Sequence, residues 1–237
     1  METTARLPDL SIAALVSRLL LGGDTLRWRH HGIGLLQAYV MESTVARAPE
    51  YRLHVWHPEL RFVDEDSGMI HDHRFALESQ VLLGAIHDTE VVLHRGDKGW
   101  VVPRPVYQMW EVENARQAAA SGDAWVKKLE WGTTTTVDGS PFCTIDMIPH
   151  IYRMGSRYTY PARKFHRSET RELTVTLCKK LRQENVPARI LAREGAVPKH
   201  GIGEPMREWA GSSGVADPRE RFLQEAGKRL LEIARSG

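Results

Sequence analysis

The sequence predicts a mainly β protein, a barrel or a sandwich with a helix at each end, and three observations lead to this fold class. Short apolar or β-branched runs, separated by turn residues, follow one another from about residue 25 to about residue 178. One amphipathic segment precedes these runs and another closes the chain. The 237 residues, 42% of them hydrophobic, can enclose one buried core. Many short strands favour a barrel or a sandwich over a parallel α/β sheet.

The first element is an amphipathic helix over residues 9–21. Asp9 or Ser11 can cap its first turn, and a pair of glycines directly after it ends it. We expect the segment 1–24 to pack this helix on the β-rich body.

The β-rich body is expected over residues 25–182. Its predicted strands are the runs LLQAYVM (35–41), YRLHVW (51–56), QVLLGAI (80–86), TEVVLH (89–94), WGTTTTVD (131–138), TIDMIP (144–149), YRMGSRYTY (152–160), RKFHRS (163–168) and ELTVTLC (172–178). The last run alternates, with Leu173, Val175 and Leu177 on one face, which is typical of a half-buried strand. Residues 112–124 predict either a helix fragment or a polar loop.

A C-terminal extension is expected over residues 183–237, ending in a second helix. Residues 195–216 are rich in Gly, Pro and Ser and predict a surface connection. The helix is predicted over residues 217–235, where Asp217 is a natural N-cap and Pro218 suits the first helical position.

Composition excludes several classes of partner. The net charge is only +2, so no strong field attracts nucleic acid or an anionic membrane surface. The apolar stretch 10–21 is interrupted by Arg18, and no run approaches the roughly 18 to 20 residues of a membrane helix. Cys143 and Cys178 are too few for a disulfide framework, which favours a reducing compartment. We therefore expect a cytoplasmic protein that binds neither nucleic acid nor a membrane.

The stretch GMIHDHRFALESQVLLG, residues 68–84, carries the first chemical signal. In a strand, residues two apart share a face, so His71 and His73 project together and form half of a metal site. Glu78 follows after four residues, and a turn between them could return its carboxylate to the same cavity. Among 11 histidines an H-x-H pair also arises by chance, so purely structural histidines remain an alternative.

A second segment, GSRYTYPARKFH (155–166), contains a candidate partner, His166, for the pair His71 and His73. Gly155 is followed after five residues by Pro161, then by Arg163 and by His166, with Thr170 beyond. The two segments together resemble the two motifs of the cupin superfamily. The second departs from its motif where Arg163 stands for a glycine and Thr170 for an asparagine.

The resemblance implies a cupin-like double-stranded β-helix, a jelly-roll barrel, with His71, His73, Glu78 and His166 lining its interior as metal ligands. It implies one divalent transition metal, with Fe(II) expected first and Mn, Ni or Zn as alternatives. The segments also look partly like thiol-dioxygenase-type cupins, which use three histidines and no carboxylate. Glu78 is then either a ligand, a general base or a group behind the ligands.

Function is expected by analogy with cupins. The first hypothesis is a mononuclear metal-dependent oxygenase for a small organic molecule, with Tyr160 orienting the substrate and Glu78 as ligand or base. The second is a cupin isomerase or lyase in which Glu78 moves a proton. The third is a non-catalytic cupin that binds a small ligand. Pairing through sheet edges, common among cupins, is consistent with a homodimer.

Overall fold

The computed structural model describes most of the β-rich body and both terminal helices. It describes residues 10–22, 26, 28–31, 33–41, 50–63, 69–95, 107–112, 134–136, 143–183, 188–193, 195–196, 202–205 and 217–236. The predicted helix fragment or loop at 112–124 lies outside these residues, apart from Val112, as does most of the predicted connection at 195–216.

The described elements are two helices and fourteen strands. The helices are α1 (Leu10–Leu21) and α2 (Glu220–Ser236). The strands are β1 (Trp28–His31), β2 (Ile33–Met41), β3 (Glu50–Arg61), β4 (Ile70–His71), β5 (Phe75–Leu83), β6 (Ala85–Arg95), β7 (Tyr107–Val112), β8 (Thr134–Thr136), β9 (Cys143–Arg153), β10 (Arg157–Tyr160), β11 (His166–Glu169), β12 (Thr174–Gln183), β13 (Ala188–Arg193) and β14 (Ile202–Pro205).

These strands form two antiparallel sheets of seven strands each. Sheet A has the order β10-β5-β12-β3-β2-β1-β14, and sheet B has the order β13-β4-β11-β6-β9-β7-β8 with an added β13–β7 pairing. Several neighbours within a sheet, such as β3 and β12 or β4 and β13, come from distant parts of the chain, as in a jelly roll. The predicted fold class, a mainly β, cupin-like jelly roll with a helix at each end, is confirmed.

Two of the predicted strands are interrupted by glycines in the left-handed region. The run 80–86 is two strands, because Gly84 (φ 74°) carries the chain from β5 in sheet A to β6 in sheet B. A Cβ at Gly84 would lie 2.4 Å from the Thr174 Oγ1 atom, so the chain approaches too closely there for any side chain. The run 152–160 is likewise divided between β9 and β10 by a turn at Gly155 (φ 84°).

The two helices pack against each other and against sheet A. Residues of α1 and α2 share one buried cluster with Leu36, Leu53 and Val55 of the sheet. A Cβ on Gly227 would lie 2.8 Å from Leu21, so this glycine allows the two helices to approach closely. Asp217 caps α2 as predicted, its carboxylate accepting a hydrogen bond from the Arg219 backbone N–H at 2.9 Å. Neither described helix has the length and apolar run that crossing a bilayer requires.

The sheets extend beyond the expected boundary at residue 182. Strand β13 pairs with β4 and β7 in sheet B, and β14 pairs with β1 at the edge of sheet A. The segment after residue 182 therefore contributes strands to both sheets as well as the terminal helix.

Candidate metal centre

Three histidines from the two motif segments converge on one point. His71 ends β4, His73 lies two residues further, and His166 begins β11, directly opposite His71 in the antiparallel register. The His71 ring centroid lies 4.8 Å from that of His73 and 4.8 Å from that of His166. The ligand nitrogens of all three residues lie within 4.8 Å of one another. Segments separated by more than 90 residues in sequence therefore meet as the motifs require.

Hydrogen bonds on the far side of two rings set their tautomers. The His71 Nδ1–H donates to the Met69 carbonyl at 2.9 Å, and the His166 Nδ1–H donates to the Asp88 carboxylate at 3.0 Å. In a neutral imidazole the other nitrogen, Nε2, then carries a lone pair. Both rings are thus prepared to bind a metal through Nε2 and are held in orientation from behind.

Asp88 is a carboxylate enclosed behind His166. It is 1% exposed, and its Oδ1 atom accepts from the Ser168 hydroxyl at 2.6 Å as well as from His166. Its Oδ2 atom is buried, and no described residue forms a hydrogen bond with it. A carboxylate in such a position is costly unless positive charge lies close to it. A divalent cation on the other side of His166 would supply that charge.

The separation of one nitrogen pair fits a shared ion. The His73 and His166 Nε2 atoms are 3.1 Å apart. Two nitrogens bound at about 2.1 Å to one ion lie about 3.0 to 3.4 Å apart for tetrahedral to octahedral angles. The pKa of His73 is lowered well below its usual value, first by burial and then by the neighbouring imidazoles. A neutral His73 is the form that binds a metal, so the three histidines could hold one.

Asp72, the residue between His71 and His73, connects these two histidines to the rest of sheet B through hydrogen bonds. Asp72 is fully buried and accepts from the Arg189 backbone N–H at 2.6 Å and the Arg189 Nε at 2.7 Å. Arg163 stands where the cupin motif has glycine, and it adopts the left-handed conformation with φ 68°. Its N–H donates to the His73 carbonyl at 2.8 Å, and its guanidinium lies 3.6 Å from Asp72. The tight turn therefore forms without glycine, because Arg163 itself adopts the left-handed conformation that the turn requires.

Glu78 does not join the three histidines. It pairs with Thr159 and Lys179 within sheet A, while its strand neighbours Leu77 and Ser79 line the cavity. Alternation along β5 puts Glu78 on the opposite face of the sheet. The group of possible metal-binding side chains found among the described residues contains the three histidines and no carboxylate. The expectation that a turn returns Glu78 to the cavity is thus corrected by the structure.

The other predicted site residue, Tyr160, does lie beside the histidines. It is 3% exposed, and its ring centroid is 4.3 Å from that of His166. Tyr158 also lines the cavity, stacked on Tyr152 at 4.1 Å. Burial raises the pKa of Cys178, another cavity residue, to about 12, so its thiol is neutral.

The histidines open on a cavity of about 150 Å³ between the two sheets. Its walls combine aliphatic and aromatic side chains with polar ones, among them five histidines. The lining residues are His31, Ile33, Leu35, Gln37, Arg52, His54, Trp56, His71, His73, Phe75, Leu77, Ser79, Tyr158, Tyr160, His166, Ser168 and Cys178.

Sequence reasoning missed the polar residues on the wall opposite the metal centre. His31 and His54 lie outside both motif segments, yet both line the cavity. A signal was present in β3, where Arg52 and His54 alternate with the buried Leu53. That alternation places both polar side chains on one face, although it does not say which face is the inner one.

Comparisons with known proteins give similarity at the level of fold. No family model matches the chain, and a search of curated proteins finds no relative. Among solved structures, hydroxypropylphosphonic acid epoxidase from S. wedmorenis matches with 9% identity and a TM-score of 0.33, over 62% of this chain and 50% of that one. L-ribose isomerase from Acinetobacter sp. DL28 matches with 10% identity and a TM-score of 0.34, over 76% and 84%.

The cupin domain of Drosophila melanogaster CENP-C matches with 8% identity and a TM-score of 0.27, over 79% of this chain and 99% of that domain. The match to the epoxidase spans half of that enzyme's length. At these scores the similarities carry no argument about activity. The cupin-like fold of the chain rests on its own architecture, two antiparallel sheets with the motif histidines converging between them.

Proposed function

We propose that the protein is a mononuclear metal-dependent oxygenase acting on a small organic molecule, with His71, His73 and His166 as the metal ligands and Fe(II) as the metal. The observation that carries the proposal is the convergence of three imidazoles at the wall of the cavity between the two sheets, with no carboxylate of the described residues in the group. Such an ion, bound by three protein nitrogens, supplies open positions at which O₂ and a substrate can react side by side.

The chain's own residues prepare the cavity for this chemistry. Asp88 and the Met69 carbonyl hold two of the imidazoles in orientation. Tyr160, packed against His166, is placed to orient a substrate bound next to the metal.

The position of Glu78 removes the general base that was expected for the isomerase or lyase. The alternative reaction needs a general base within reach of the substrate, and Glu78 was its candidate. On the far face of β5 this carboxylate is separated from the cavity by the sheet. Oxygenase chemistry at a three-histidine centre does not require it.

The metal site is tested by elemental analysis of protein purified without added metal. We expect about one equivalent of a transition metal in the wild type, loss of the metal in His73→Ala, and retention in the matched variant Glu78→Gln. A wild-type protein that binds none of Fe, Mn, Ni or Zn would contradict the proposed metal site. Loss of metal in Glu78→Gln equal to that in His73→Ala would return the carboxylate to the ligand set.

The reaction is tested by oxygen uptake of Fe(II)-loaded protein with a panel of small organic acids, alcohols and thiols. We expect one compound class to be consumed together with O₂, and the uptake to be absent in His73→Ala. Conversion of a compound at the same rate without O₂ would instead identify an isomerase or lyase. Metal binding without any turnover would favour a non-catalytic cupin.

A further inference from the structure

The wall of the cavity that faces the histidines is built from polar side chains of sheet A. Arg52 and His54 project from β3 into the cavity, and Gln37 lies directly across from His54 on β2. On the other side of His54, Thr176 of β12 is its register partner. An apolar cavity with a few convergent polar groups is the usual form of a ligand site.

His54 has an unsatisfied polar atom. Its Nε2 atom is buried and has no hydrogen-bond partner among the residues that the structure describes. Burial and the neighbouring Arg52 charge lower the pKa of His54 to about 3, so the ring is neutral and offers one N–H donor and one acceptor. A buried polar atom without a partner costs about 1 to 3 kcal/mol, which a ligand group able to hydrogen-bond would recover.

Arg52 supplies a positive charge at the same wall. Its Nε and Nη2 atoms donate to one oxygen of Glu50, at 2.8 and 2.6 Å, which uses two of its five N–H groups. Lys180 lies 3.3 Å from the other Glu50 oxygen. Two cations therefore share one carboxylate, and the cluster carries an excess of one positive charge beside the cavity.

Distances limit the size of the ligand. The Arg52 guanidinium carbon and the His73 ring centroid each lie 5.0 Å from the centroid of the Phe75 ring, so they are at most about 10 Å apart. A molecule only a few bonds long can span that gap. The cavity of about 150 Å³ is also below the roughly 300 to 1,000 Å³ typical of sites for larger ligands.

We propose that the substrate is a small organic anion whose carboxylate binds Arg52 and His54 while its other end reaches the three imidazoles. The part of the inference that places the other end of the substrate at the three imidazoles rests on the proposed function. The anion site itself rests only on the polar wall of sheet A. A guanidinium is suited to a carboxylate because it presents paired, parallel N–H donors.

The test uses metal-free protein, so that a metal–carboxylate bond cannot contribute to binding. Propionate and its neutral counterpart propionamide are titrated by ligand-observed NMR. We expect propionate to bind at least about tenfold more tightly than propionamide, because a hydrogen bond to a charged group contributes about 1.5 to 3 kcal/mol. Equal binding of the two compounds, or binding of neither, would overturn the proposal.

Variants locate the anion on the wall. Arg52→Gln and His54→Phe should each weaken propionate binding about tenfold or more, whereas the exposed Arg157→Gln should leave it unchanged. Glu50→Gln removes the anion that competes for Arg52 and should tighten propionate binding several-fold. A purely structural role for Arg52 predicts no such gain, so unchanged or weaker binding in Glu50→Gln counts against the site.

The result separates this inference from the proposed function. Metal content is measured in the same Arg52→Gln and His54→Phe samples after incubation with Fe(II) under argon, and it should stay at the wild-type value. If propionate binding depends on Arg52 but the wild-type protein takes up no Fe(II), the anion site stands and the oxygenase is rejected. A protein that holds metal but does not prefer propionate would do the reverse.

Discussion

At the scale of single residues, Asp88 supports the candidate metal centre from behind one of its histidines. It holds the His166 ring by the Nδ1–H and leaves the Nε2 lone pair facing the other two histidines. Its own negative charge is enclosed, with one oxygen unpartnered in the part of the chain that is described. Carboxylates in this position raise the basicity of the imidazole and keep it in one tautomer.

Asp88→Asn should therefore lower the affinity for the metal about 10- to 100-fold, because an amide neither carries the charge nor enforces the Nδ1–H tautomer. Competition with a metal chelator measures this change. Ser168→Ala, which removes the other hydrogen bond to the same carboxylate, should have a smaller effect. Equal affinity in Asp88→Asn and the wild type would show that the carboxylate is only structural.

At the scale of elements, the junction between β5 and β6 connects the two sheets at a crowded position. Gly84 takes the chain from sheet A to sheet B with φ 74°, close to Leu173 and Thr174. The Thr174 hydroxyl also contacts the Ala85 backbone N–H at 3.2 Å. The conformation and the lack of space both require glycine at this position.

Gly84→Ala should be strongly destabilising, by roughly 3 kcal/mol or more, since left-handed strain and a steric clash add together. Gly195→Ala is the matched control. Gly195 has a similar φ of 80° but nothing within 4 Å of its Cβ position, so only the conformational cost of about 1 to 2 kcal/mol should appear. Urea denaturation of both variants measures the difference. Similar losses would mean that the β5–β6 junction can relax around a methyl group.

Element-level reasoning from the sequence worked where periodicity is local. The alternation of Leu173, Val175 and Leu177 correctly predicted a strand there, which begins at Thr174. The Asp217-Pro218 signal correctly located the start of α2. Strand boundaries at Gly84 were wrong because an apolar run does not reveal that its two halves belong to different sheets.

At the scale of the whole molecule, burying a neutral histidine makes folding depend on pH. The folded-state pKa of His54 is about 3, lowered by burial and by Arg52, whereas an unfolded histidine has a pKa of about 6.5. Below pH 6.5 the unfolded chain binds a proton that the folded chain does not. The contribution of His54 to the free energy of unfolding is therefore fully present above pH 6.5 and is lost as the pH falls toward 3.

Between pH 7 and pH 5 this single group should cost the folded state about 2 kcal/mol. Urea denaturation of metal-free protein at the two pH values measures the loss. His54→Phe should be less sensitive to pH over the same interval by about that amount, because phenylalanine cannot bind the proton. An identical pH dependence in the variant would mean that His54 titrates normally in the folded protein.

The sequence by itself determined the mainly β architecture, the two terminal helices and the three histidines of the candidate site. These features can be predicted because they depend on local periodicity and on short motifs with a fixed spacing in the sequence. The period of two that starts at His71 and His73 continues along β5, since Phe75, Leu77 and Ser79 also line the cavity. Counting that period from the histidines puts Glu78 on the other face, which the expected turn had obscured.

Only the tertiary structure decided which residues complete the cavity. Asp88 comes to His166, and Arg52 and His54 come to the opposite wall, through pairings between strands that are far apart in the chain. Which face of each sheet becomes the interior depends on how the two sheets stack. That choice is made by the burial of apolar surface over the whole molecule, because no single strand contains the information.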